Sequence, residues 1–190
     1  VEAIAAEWNT DTVILVPDQY LAKNVAAQTG IRVMTWPGAC EVHEMFSADD
    51  VEQLREAHPG VVILAHPECP PDVLEAADFA GSTSALANYV AEESPNKVVL
   101  LTECSMSDNV ASANPNVNFI RPCNLCPHMK RITLENIYDC LVTGEYEVLI
   151  PEDVRVRAKE ALDAMMALPK MVKPLAFKTG LKPLELEMVV

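Results

Sequence analysis

The sequence predicts a layered α/β fold with parallel α/β units. Two patterns carry the expectation. Short apolar runs alternate with helix-period segments almost throughout. Polar motifs recur just after the apolar runs, where parallel α/β units keep their ligand-binding loops. The opening, Val1–Trp8, reads as the middle of an amphipathic helix, so the chain is expected to begin inside a longer protein. Val13–Val16 is a short buried strand ended by Pro17-Asp18. The segment Tyr20 to Gln28 is a helix closed by Gly30. Ile31–Trp36 is the next strand. Ser47 with Asp50 three residues on marks the start of a helix running to about Ala57.

Val61–Ala65 is the clearest strand in the chain. Pro71 opens a helix through Ala77, and Ser82 or Thr83 caps another over Ser84–Glu93. Lys97–Leu101 and, more weakly, Val117–Ile120 read as strands. Thr133 caps a helix through Leu141 with Gly144 beyond it. Glu147–Ile150 is expected as a last strand, and Pro151 starts a helix through Leu168. The segment 169–190 has three prolines and no clear period, and is read as an irregular tail.

Composition narrows the function classes. A chain of 190 residues with 50% apolar content can build a core. Its 28 acidic against 14 basic residues, a net charge of −14, argue against nucleic acid and anionic membrane surfaces as partners. No apolar run approaches the ~20 residues that span a bilayer. The first residues lack the basic start and cleavage site of a signal peptide. Six cysteines at wide, irregular spacing do not form a secreted disulfide framework. They read as thiols in a reducing cytoplasm, some of them potential metal ligands.

Five polar loops follow strands: Pro37–Cys40, His66–Cys69, Gly81–Thr83, Thr102–Glu103 and Cys123–Cys126. Together they predict one polar site on one sheet edge. Cys123-x-x-Cys126 is compatible with a redox dithiol or half of a zinc site. Cys126-Pro127 is also similar to the Cys-Pro ending of iron–sulfur ligand runs. His66 and Glu68, two residues apart on an extended turn, suit proton transfer, or else form an ordinary solvated turn. Ser82 and Thr83 at a helix N-terminus suit a phosphate or carboxylate, or else act only as a cap. Cys40 fits either a ligand or a buried thiol. Cys104 and Cys140 read as structural, and the eight methionines as core filler.

Leu15–Asp18, Trp36–His43, His66–Cys69, Gly81–Thr83, Thr102–Glu103, Cys126–Lys130 and Ile132–Leu134 occur in one order. In that order they resemble the quinolinate synthase (NadA) family from near residue 10 to residue 168. The resemblance implies three similar α/β/α domains around a pseudo-threefold axis, each giving one cysteine to a single 4Fe–4S cluster with one open iron. It implies condensation of iminoaspartate with dihydroxyacetone phosphate to quinolinate in de novo NAD biosynthesis. L-aspartate oxidase or aspartate dehydrogenase would supply the iminoaspartate.

By the same resemblance Cys40 and Cys126, 86 positions apart, are cluster ligands. Cys69 is the alternative to Cys40, and Cys123 is accessory. His66 and Glu68 bind substrate and transfer protons, while Ser82 and Thr83 hold the triose phosphate or a carboxylate. Residues 1–35 would finish a middle domain, 36–120 form a whole one, and 121–168 return to a first domain that this chain does not match. That first domain would hold the third ligand, so the chain is expected to be inactive alone. Two readings of other classes stand beside this one: an α/β binding domain with a structural zinc, and a thiol oxidoreductase using Cys123 and Cys126.

Overall fold

The computed structural model describes residues 1–168 and 186–188. These fall into two compact units, one of residues 1–125 with 186–188 and one of residues 126–168. In chain order the first unit runs α1 (Glu2–Glu7), β1 (Thr12–Leu15), α2 (Gln19–Ala26), β2 (Arg32–Thr35), α3 (Ala48–Ala57) and β3 (Val62–Ala65). It continues with α4 (Pro71–Ala76), β4 (Phe79–Ala80), α5 (Thr83–Glu93), β5 (Lys97–Leu101), α6 (Cys104–Ala113) and β6 (Asn118–Ile120). The second unit holds α7 (Leu134–Thr143) and α8 (Glu152–Ala167), and β7 (Glu187–Met188) belongs to the first.

Two parallel sheets organise the first unit. The smaller has the order β1-β2-β7, with Val13 opposite Val33 and Met34 opposite Glu187. Helix α2 covers it through Ala22 and Ala26, which pack on Val33. The larger has the order β4-β3-β5-β6, all parallel.

The alternation of side chains along β3 and β5 explains the three layers. Ile63, Ala65, Val99 and Leu101 face Val51 of α3 and Val73 and Leu74 of α4. Leu64, Val98 and Leu100 face Leu86 and Val90 of α5 and Val110 of α6. A strand buried on both faces needs an unbroken apolar run, and Val61–Ala65 and Val98–Leu101 supply one each. Each fully buried Leu or Val here contributes about 1.5–3 kcal/mol. Because every strand of this sheet runs the same way, the loops after β3, β4, β5 and β6 leave one edge.

Local signals explain where the helices begin. Asp18 caps α2 by accepting from Leu21 N at 2.7 Å. Ser47 and Asp50 form a reciprocal capping box on α3, and Thr133 with Asn136 forms another on α7. Gly144 closes α7 at φ 74°, a left-handed conformation that glycine adopts without strain.

Several expectations need correction. The strand expected at Glu147–Ile150 does not form; Val148 and Leu149 are exposed, and among the described residues no strand lies alongside to pair with it. A strand is completed by its neighbour, and an apolar run alone does not supply one. Helix α6 and the short β4 were not anticipated. The sequence of α6, Cys-Ser-Met-Ser-Asp-Asn-Val-Ala-Ser-Ala, is rich in Ser and Asn and carries a weak apolar stripe. Methionine is not uniformly core filler, since Met45, Met129, Met165 and Met166 are exposed. Cys140, read as structural, is an exposed free thiol. The irregular tail expected over 169–190 lies outside the described residues except at 186–188, where Glu187–Met188 pairs with β2.

Candidate functional site

The site is built on the loop after β2. Gly38 is required there, because a Cβ at that position would lie 2.5 Å from the Pro17 carbonyl oxygen. The close approach lets Gln19 N donate to Gly38 O at 2.8 Å. Asp18, 3% exposed, ties the loop down, its Oδ2 accepting from Cys40 N at 2.9 Å while Oδ1 caps α2. Burial raises the Asp18 pKa, opposed by the bonds from the Leu21 and Cys40 amides. Glu44 N then donates to Cys40 O at 2.9 Å, and Phe46 N donates to His43 O at 3.3 Å, closing a short 3₁₀ turn, His43–Met45, in which His43 is buried.

His43 is buried at the centre of the site. Its Nε2 lies 2.9 Å from Thr102 Oγ1, at the end of β5. Its ring stacks on His66 with centroids 4.5 Å apart and planes 15° from parallel. On the other side, Nδ1 is 3.0 Å from Glu68 Oε2, but without the alignment of a hydrogen bond. That close contact with His43 is the largest influence holding the Glu68 carboxyl below its usual range, against the opposing effect of burial. Glu68 is therefore ionised at neutral pH.

His66 occupies the loop after β3. Burial, then the neighbouring His43, lower its pKa to about 4. The ring is neutral at neutral pH, and its Nδ1 accepts from Glu68 N at 3.3 Å, which places the proton on Nε2. The Glu68 carboxylate, 3.8 Å from His66 Nδ1, is too distant to reverse the effect of burial. Asn24 of α2 holds this loop in place. It is 6% exposed, and its Nδ2 donates to Pro67 O at 2.8 Å and to Cys69 O at 3.0 Å.

The structure thus brings together three of the residues singled out in the sequence: Cys40, His66 and Glu68. A ligand atom from each of Cys40, His43 and Glu68 lies within 4.8 Å of the other two. Ser82 and Thr83 begin α5 and are exposed, with Ser82 Oγ accepting from Ala85 N as a cap. Cys126 begins the second unit. His43, Thr102, Asp18 and Asn24 were not assigned roles from sequence. Thr102 lay in one of the polar loops and Asp18 and His43 in the motifs that occur in one order, whereas Asn24, inside a helix, carried no signal.

The cysteines depart from the expectation of six free thiols. Cys104 and Cys123 are joined as a disulfide, because an isolated bridge between Glu103 and Asn124 brings the start of α6 beside the segment after β6. Cys123 is therefore not paired with Cys126, and this removes the support for a Cys123–Cys126 redox dithiol. Cys69 is fully buried, donates to Leu101 O at 3.5 Å, and has its thiol pushed far up by burial. It is an inert core thiol and a poor alternative to Cys40.

A 4Fe–4S cluster with one open iron takes three thiolates. Among the described residues the cysteines outside the disulfide, besides inert Cys69, are Cys40, Cys126 and Cys140, and Cys140 is exposed on α7. Within the described residues of the first unit no three-thiolate set forms around Cys40, because Cys69 is buried and Cys104 and Cys123 are joined to each other.

The family model described as quinolinate synthetase A protein matches residues 1–167. A quinolinate synthase of Caulobacter vibrioides is 55% identical over 174 residues, covering 92% of this chain and 47% of that protein. One from Agrobacterium fabrum is 58% identical over 154 residues, covering 81% of this chain and 45% of its own length. Quinolinate synthase 1 of Mesorhizobium japonicum is 56% identical over 164 residues, covering 86% and 51%. The chain spans about half the length of the curated relatives it matches. Among the described residues no helix is long and apolar enough to cross a membrane.

Proposed function

The chain belongs to the quinolinate synthase family, and on that premise we propose that it forms part of an enzyme condensing iminoaspartate with dihydroxyacetone phosphate to quinolinate. The observation that carries the proposal is the convergence of Cys40, His43, His66 and Glu68 at the carboxyl ends of parallel strands. This is where open α/β sheets bind ligands. The setting is the cytoplasm, with iminoaspartate supplied by L-aspartate oxidase or aspartate dehydrogenase.

Each residue has a role suited to its environment. Glu68, ionised and half-buried, is the general base for a proton next to a carbonyl or imine carbon. His66, neutral with its proton on Nε2, donates a hydrogen bond to a substrate oxygen. Ser82 and Thr83 present hydroxyls and backbone amides at the start of α5, suited to a phosphate or carboxylate. Cys40 and Cys126 are two of the cluster thiolates, with the third coming from outside the described residues. The division into segments 1–35, 36–120 and 121–168 follows from the same architecture.

A chimera tests the proposal. Residues 1–167 of this chain replace the matching part of the Caulobacter vibrioides relative, and quinolinate is measured after anaerobic loading with iron and sulfide. The chimera should turn over. Glu68→Gln within it should lower kcat by ~10²-fold or more, the usual contribution of a general base. A folded, iron-loaded chimera without activity, or one indifferent to Glu68→Gln, contradicts the assignment. This chain alone should make no quinolinate; turnover matching a complete relative would show that it needs no further residues.

A further inference from the structure

Thr102 is the first residue after β5, and the fold holds it from both sides. Leu101 O accepts from His66 N at 3.2 Å, which ties the end of β5 to the loop after β3. Beyond it, Glu103 caps α6 by accepting from Ser105 N at 2.7 Å, and Cys104 N donates to Asn124 O at 3.1 Å. Thr102 is buried, and its Oγ1 lies 2.9 Å from His43 Nε2. The chemistry assigned to Glu68 and His66 does not use this hydroxyl.

The two neutral tautomers of His43 differ in what they present to Glu68. With the proton on Nε2, the Nδ1 lone pair would face a carboxylate oxygen 3.0 Å away, and two acceptors would repel each other. With the proton on Nδ1, the N–H faces the ionised Glu68 carboxylate, and the Nε2 lone pair accepts from a hydroxyl. Which ring nitrogen carries the proton is set by the bond that the other one makes. Thr102 O–H is positioned to make that bond. His66, stacked on the same ring with planes 15° from parallel, limits its tilt. Asn24 holds the carbonyls of Pro67 and Cys69 on either side of Glu68, so the carboxylate and the ring approach each other from two braced loops.

We propose that Thr102 is a positioning residue for the general base. Its hydroxyl donates to His43 Nε2, keeps the imidazole proton on Nδ1 and thereby aims that N–H at Glu68 Oε2. His43 in turn restrains the Glu68 carboxylate, so a group on β5 governs a base on the loop after β3. The assignment rests on the enzyme reading above and adds two residues to it.

The tautomer is read by nuclear magnetic resonance on the whole chain, isotope-labelled at the histidine ring nitrogens, at a pH where His43 is neutral. The His43 ring should show a protonated, pyrrole-like Nδ1 and a pyridine-like Nε2. A pyridine-like Nδ1 overturns the proposal without any variant. Thr102→Val removes the hydroxyl at nearly constant shape and should turn the single tautomer into a mixture, and Thr102→Ser should restore it. In the chimera with the Caulobacter vibrioides relative, Thr102→Val should lower kcat about tenfold, the scale of one lost hydrogen bond. KM should change little, and Thr102→Ser should recover most of the rate. A Thr102→Val protein of native circular dichroism with unchanged tautomer and kcat overturns the proposal. So does a change confined to KM, which would make Thr102 a binding group, or a serine variant that restores neither signal. An inactive parent chimera counts against the enzyme reading, whereas the tautomer of the chain by itself decides whether Thr102 orients His43.

Discussion

Replacing Asn24 by alanine should loosen the loop that carries His66 and Glu68. The Asn24 amide is 6% exposed and donates to two carbonyl oxygens, Pro67 O at 2.8 Å and Cys69 O at 3.0 Å. Both bonds cross from α2, on the smaller sheet, to the loop after β3 of the larger one. Removing the donor leaves two buried acceptors, each costing about 1–3 kcal/mol if unsatisfied and less if water enters the gap. Alanine recovers about 0.5 kcal/mol as a better helix former within α2. The net loss is about 1.5–5.5 kcal/mol, toward the lower end if water enters. Both tryptophans, Trp8 and Trp36, belong to the first unit, so urea unfolding followed by tryptophan fluorescence reports that unit alone. Asn24→Asp keeps the shape but turns a carboxylate toward the same carbonyls, and should be at least as destabilising at neutral pH. A loss below about 0.5 kcal/mol with an unchanged denaturant slope refutes the reasoning, because the two bonds would then carry no net stability.

Three further outcomes are expected. Leu64→Ala removes a fully buried side chain between β3, α5 and α6 and should cost about 2–5 kcal/mol in urea unfolding; a cost under 1 kcal/mol would mean that the cavity collapses. The metal-free chain should lose stability as pH falls from 6.5 toward 4. The unfolded His66 takes up a proton near 6.5, whereas the folded one does so only at about 4. Glu68, lowered from 4.5, adds its own loss only below 4.5. His66→Phe should flatten the decline in Tm between 6.5 and 4.5, and an unchanged decline would reassign it to other groups. Alkylation of oxidised, denatured chain should label four of the six cysteines and leave Cys104 and Cys123 in one linked peptide; six labelled thiols would exclude the bond.

The core was legible because it rests on local pattern. Val61–Ala65 and Lys97–Leu101 announce strands buried on both faces, and the structure gives β3 and β5 with alternate residues in two separate apolar clusters. The caps at Ser47 and Thr133 lie where side-chain chemistry places them. Errors arose where a distant partner decides. Glu147–Ile150 has the composition of a strand but no strand beside it among the described residues, and β7 exists only because β2 offers a free edge. Cys123 looked like the neighbour of Cys126, yet its disulfide partner is Cys104, 19 residues away.

The candidate site divides along the same line. Sequence by itself determined the layered α/β class, the family, and the placing of Cys40, His66 and Glu68 in loops after strands, because periodicity and motif order are properties of the chain alone. Only the tertiary structure showed that His43 is the hub, stacked on His66, held by Thr102 and facing Glu68. It alone showed that Cys69 is buried beyond use and that Asn24 and Asp18 fix the two loops in register. Burial and the direction of a ring nitrogen depend on residues 20 to 60 positions away. Parallel sheets bring such residues to one edge, and no local pattern records which of them meet.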